Sequence, residues 1–195
     1  MANQASLFPG GADATIHDFG RIAGLWVASF KILVHPGGDG QANLKKVFEL
    51  LERVPWIDKK CGYRRFETGT KKKSVRRNLA CWIYREFNTC RNNFLHGNPV
   101  EISDLKIRQS GRNLISIAPT LYRLGLTSFL DLSWKEQIPP VADAEAFAQY
   151  FAEAWDFNAP QKDAEKALRL VRVFHSLRRC VLSPRELPQP RVLHR

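Results

Sequence analysis

Between positions 19 and 33, Phe19, Ile22, Ala23, Trp26, Val27, Phe30 and Leu33 recur every three or four residues. That is the period of one face of an α-helix. Asp13 or Thr15 stands where a cap would start it, and His35-Pro36-Gly37-Gly38 stops it. Leu44, Val47, Phe48 and Leu51 mark a second helix from about Gln41 to Val54, with Lys45, Lys46, Glu49 and Glu52 outside and Pro55 ending it. A third should begin near Ser74 and run to His96, where Gly97-Asn98-Pro99 breaks it. Leu114, Ile117, Leu121 and Leu124 predict a fourth from Asn113 to Gly125, extending toward Phe129-Leu130. Asp143 to Asp156 and Asp163 to Leu177 make two more, joined through Asn158-Ala159-Pro160.

The intervals between these patterns are polar. Residues 1–12 read as a loose leader, 56–73 as a long connection, and 180–195 as an Arg/Pro-rich tail. No segment alternates convincingly as a strand. The expectation is a single all-α domain over residues 1–195, a helical bundle of about five to seven helices with few or no strands. Trp26, Trp56, Trp82, Trp134 and Trp155 are expected in its core, and His17 and His35 at its surface.

Composition supports a packed core: 44% of the 195 residues are hydrophobic, which excludes wholesale disorder. Charge adds more. The net charge is +11, and it is concentrated. Residues 58–77 hold nine basic and two acidic side chains, net +7, and residues 162–195 hold nine and three, net +6. The rest of the chain is close to neutral. An anionic partner is therefore expected at one or both blocks. Cys61, Cys81, Cys90 and Cys180 form no CxxC pair, so neither a zinc framework nor a secreted disulfide scaffold is indicated. The opening Met1-Ala2-Asn3-Gln4 has no signal-peptide pattern, and the longest apolar run, Ile22 to Val34, is short for a bilayer and broken by Lys31. These features predict a cytoplasmic protein with no membrane partner.

The candidate chemistry lies in residues 79–96. At about 100° per residue, Leu79, Ile83, Phe87, Cys90 and Phe94 share one face. Arg85, Thr89, Asn92 and His96 form a nearly opposite stripe, and Arg91 sits about 140° from His96 beside Tyr84 and Leu95. A polar stripe is the ordinary solvent face of a helix. This one contains no acid and ends in an imidazole beside a helix stop. An arginine, an amide and a titratable histidine together suit phosphate chemistry: Arg stabilises negative charge and His transfers protons near neutral pH.

Arg91-Asn92-Asn93-Phe94-Leu95-His96, followed by Gly97-Asn98, resembles the signature of the HEPN superfamily of α-helical ribonucleases. That signature is an Arg, an adjacent polar residue and a His four to six positions after the Arg, near a helix end. The stretch Leu114 to Leu132, with Pro119-Thr120-Leu121-Tyr122-Arg123-Leu124-Gly125, is similar to the helix that follows the motif in the Apea-like branch. The resemblance spans residues 13–135. The bare spacing occurs again at Arg169 and His175, but there the Arg is followed by Leu170 and no stop follows the His.

The resemblance implies a metal-independent endoribonuclease without cofactors, acting in bacterial defence, toxin or stress responses. RNA carries its own nucleophile, the 2′-OH. The enzyme must deprotonate it, stabilise the phosphorane and protonate the leaving oxygen. In that scheme His96 is general acid or base, Arg91 stabilises the phosphate oxygens, and Asn92, one turn before His96, orients His96 or the phosphate. The products are a 2′,3′-cyclic phosphate and a 5′-hydroxyl. The resemblance also implies a homodimer whose motif helices face one another, with Arg85 and Thr89 lining the cleft. Lys59, Lys60, Arg64, Arg65, Lys71, Lys72, Lys73, Arg76 and Arg77 would hold the RNA backbone. Tyr63 and Phe66 would stack on bases or simply pack on the domain. An unregulated nuclease would harm its host, so an antitoxin or another regulatory partner is expected. The alternatives are a catalytically silent HEPN module and a basic helical protein that binds RNA or a protein partner.

Overall fold

The computed structural model describes residues 1–7, 14–37, 40–70, 73–107 and 110–171. Lys71, Lys72, Cys180, His175 and the tail 180–195 lie outside the described residues, as do residues 8–12 of the leader. In chain order the elements are α1 (Ala2–Leu7), α2 (Ile16–Leu33), α3 (Leu44–Glu52), α4 (Lys59–Gly62), β1 (Phe66–Thr70), β2 (Lys73–Arg77), α5 (Leu79–Leu95), a 3-10 turn (Ile102–Leu105), α6 (Leu114–Phe129) and α7 (Ala144–Arg169). The all-α bundle with few strands is what the periodicity predicted.

Each long helix starts at a side-chain cap. Thr15 opens α2: its Oγ1 accepts the Asp18 N–H at 3.3 Å, and the Asp18 carboxylate accepts the Thr15 N–H at 2.9 Å. Asn43, Asn78, Asn113 and Asp143 cap α3, α5, α6 and α7 in the same manner. Helix α5 runs through the centre, against α2, α3, α6 and the hairpin. Its Tyr84 is fully buried between the rings of Phe30 and Phe48, with centroids 4.9 and 6.3 Å away. A smaller cluster of Ala23, Cys90 and Leu105 secures the far end of α5.

Four expectations change. First, the leader is helical in part: α1 buries Ala5 against the main core. Second, the long connection 56–73 contains α4 and the first strand of an antiparallel hairpin, in which Phe66 pairs with Arg77 and Glu67 with Arg76. Helix α5 therefore starts at Leu79, not Ser74. The hairpin's inward face carries Phe66 but also the polar Thr68 and Arg77, so its period-2 signal is weak. Third, α7 is one helix of 26 residues with Pro160 inside it. Proline removes one i→i−4 hydrogen bond. Tertiary bonds hold the helix beyond it: the buried Glu165 carboxylate accepts the Ile57 N–H at 2.9 Å and the Asp58 N–H at 2.6 Å. Fourth, Trp155 is 64% exposed, because α7 buries residues only from Ala164 onward.

Candidate functional site: the end of helix α5 and the basic hairpin

Asn78 anchors the start of α5 twice. Its Oδ1 accepts the Cys81 N–H at 2.9 Å, and its Nδ2 donates to the Leu51 carbonyl at 3.0 Å. The end of α5 is equally defined. Gly97 adopts φ +66°, a left-handed conformation that suits glycine. The Asn98 N–H then reaches the Asn93 carbonyl at 3.0 Å and the Gly97 N–H the Phe94 carbonyl at 3.3 Å. This pair of bonds is a Schellman motif, and it makes His96 the C-cap.

The structure brings Arg91 and Asn92 together. The Arg91 Nη1–H donates to Asn92 Oδ1 at 3.0 Å, and both side chains are half-buried. His96 is exposed, and five residues of helix separate it from Arg91, about 7.5 Å along the axis. Neither Arg91 nor His96 forms an ion pair with a described residue. Thr89 is exposed on the same stripe, whereas Arg85 turns back to the hairpin and donates to the Glu67 carbonyl at 3.0 Å.

Two thiols on α5 are poor nucleophiles. Burial pushes Cys81 up to about 12 and Cys90 up to about 11, so neither supplies thiolate near neutral pH. The Tyr84 hydroxyl is buried with no hydrogen-bond partner among the described residues, and desolvation raises its pKa. Among the described residues no group of three or more His, Cys, Asp or Glu side chains is arranged to hold a metal ion.

The basic block sits at the other end of α5. Its members divide by partner. Glu52 takes two of them: Arg77 at 2.8 Å and Arg64 at 3.2 Å. Arg77 also lies over the Phe48 ring at 4.7 Å. Lys59 and Lys60 are exposed on α4, Arg65 is exposed above the Tyr63 ring at 4.7 Å, and Arg76 is exposed on β2. Of the aromatic candidates, Phe66 packs, stacked on Trp82 at 5.5 Å and 27°, and Tyr63 remains 45% exposed. The 17-residue length of α5 puts this block roughly 25 Å from His96 within one chain. Sequence reading missed Glu52 as the residue that sorts these cations. It lies 12 positions from Arg64 and 25 from Arg77, beyond any local pattern.

No described helix is long and apolar enough to cross a membrane. Comparison with protein-family models, with curated proteins and with solved structures returns no match.

Proposed function

We propose that this protein is a metal-independent endoribonuclease of the HEPN type that cleaves RNA by attack of its own 2′-OH. The observation that carries this reading is the end of α5: a half-buried Arg91–Asn92 pair beside an exposed His96 at a fixed helix stop. Arg91 neutralises the phosphate oxygens as charge develops on the phosphorane. Asn92 holds the guanidinium through its Oδ1, so Asn92 is a positioning residue in this scheme. His96 takes or returns a proton at the exposed end of the helix. Lys59, Lys60, Arg65 and Arg76 hold the strand without reading its sequence.

One histidine serves poorly at both the 2′-oxygen and the leaving oxygen. The function is therefore assigned to a homodimer in which two α5 ends meet. Leu95, 61% exposed, and Ile102, 62% exposed, flank His96 in sequence and supply apolar surface for that contact. The cysteine pattern suits a cytoplasmic setting in bacterial defence or stress, under control of an antitoxin or another regulatory partner.

A second reading is a module that binds RNA or a protein without cleaving. The separation of the cationic block from His96 within one chain favours it. One assay distinguishes the two. The protein is incubated with total RNA in EDTA beside His96→Ala and Arg91→Ala. Cleavage that falls at least about 100-fold in both variants, with unchanged melting temperatures, supports the nuclease. RNA binding without cleavage, equal in all three proteins, supports the silent module.

A further inference from the structure

A cleft of about 240 Å³ opens between α6 and α7, away from the α5 motif and sharing no residue with it. Pro55, Pro160 and the rings of Trp134 and Phe157 form apolar walls. The two rings stand 5.5 Å apart at 51°. Arg123 and two side-chain amides supply the polar part of the lining. Arg123 lines it, is exposed, and has no carboxylate partner among the described residues. Gln161 and Asn158 spend their amide N–H groups on Glu165 and the Ala154 carbonyl, at 2.8 and 2.7 Å, which leaves their side-chain oxygens as acceptors.

We propose that this cleft binds a small ligand made of one planar aromatic ring bearing an anionic group. The walls offer π-faces and edges for the ring. Arg123 supplies the charge, and its fork suits a carboxylate or a phosphate. The amide oxygens accept from donors on the ring edge. At about 240 Å³ the cleft is smaller than a typical drug-sized site, so it takes a single ring system and not a dinucleotide.

Titration calorimetry on the full chain tests this with four probes: AMP, benzoate, adenosine and inorganic phosphate. The expected result is binding of AMP or benzoate with Kd below about 1 mM, and at least about tenfold weaker binding of the matching neutral or ring-less probe. AMP alone binding identifies a nucleotide source; benzoate alone identifies an aromatic acid. Arg123→Ala weakens that binding about tenfold. Arg123 is exposed, so its loss should leave the melting temperature of the unliganded protein unchanged. The proposal is overturned if neither aromatic anion binds, if phosphate alone binds as tightly as AMP, or if Arg123→Ala leaves the affinity intact.

Discussion

Gly20 and Phe94 meet where α2 crosses the last turn of α5: a methyl group added to Gly20 would lie 2.6 Å from Phe94 Cδ1 and 2.8 Å from Cγ. Only a residue without a Cβ lets the two helices approach this closely with Phe94 in place. Phe94 is two residues from Asn92 and two from His96. Gly20→Ala therefore expels the ring or separates the helices, at about 1–3 kcal/mol for overpacking. Chemical denaturation should show that loss, and RNA cleavage in EDTA should fall by more than stability alone explains. An equally active, equally stable Gly20→Ala would mean that α5 does not need this contact.

Glu52 governs the basic block in a different way. Its carboxylate is the shared partner of Arg77 and Arg64, with side-chain exposures of 19%, 16% and 66% respectively. Glu52→Gln leaves the half-buried Arg77 charge without its counterion. The expected cost is about 1–3 kcal/mol, less than a fully buried pair because water reaches Arg64. The same change releases two cations, so RNA affinity should rise and depend more steeply on salt. The opposite variant, with alanine at Lys59, Lys60, Arg65 and Arg76, should flatten the log–log salt slope by about 3 for single-stranded RNA. Filter binding across a salt series measures both.

These two relationships mark how far the sequence could be read. The boundaries of α2 and α6 are legible because Thr15 and Asn113 are strong caps placed before uninterrupted apolar stripes. The Gly97 stop, and with it the place of His96, is legible because a left-handed residue after a helix selects glycine. The hairpin is not, since Thr68 and Arg77 share its inward face with Phe66 and interrupt the hydrophobic alternation. The continuity of α7 through Pro160 is not, since Glu165 secures it by bonds to Ile57 and Asp58, more than a hundred residues away. Local pattern reads local physics. Glu52, Glu165 and Gly20 act across the chain, and only the folded arrangement reveals them.

Alkaline stability reports on the buried thiols. Cys81 and Cys90 have an ordinary pKa of 9.0, raised by burial to about 12 and about 11 in the folded protein. The unfolded chain loses these protons first. The stabilisation is thus complete below pH 9, and it declines as pH rises toward the folded values. Between pH 9 and 11 each thiol lowers the unfolding free energy by about 1.4 kcal/mol per pH unit. Cys81→Ala should be less stable at pH 7 because it opens a small cavity, but its decline above pH 9 should be visibly shallower. Parallel slopes for the variant and the parent protein would refute a role for the Cys81 thiol.

The dimer is the structural premise of the nuclease, and it has a direct test. Leu95, adjacent to His96 in sequence, and Ile102, six positions after it, expose more than half of their surface, which costs solvation unless something covers it. In a two-fold dimer each patch meets its own copy, so one substitution acts twice. Leu95→Asp places two carboxylates at that contact and should shift the sedimentation mass from twice 22.3 kDa to 22.3 kDa. The position is exposed, so the melting temperature of the separated monomer should stay within about 1 kcal/mol equivalent of a monomeric control such as Ile102→Asp. Cleavage should fall with the dimer fraction as concentration is lowered, in the parent protein and not in a covalently cross-linked pair. Full activity from a Leu95→Asp monomer would place both halves of the acid–base chemistry in one chain, and would remove the need for a second His96.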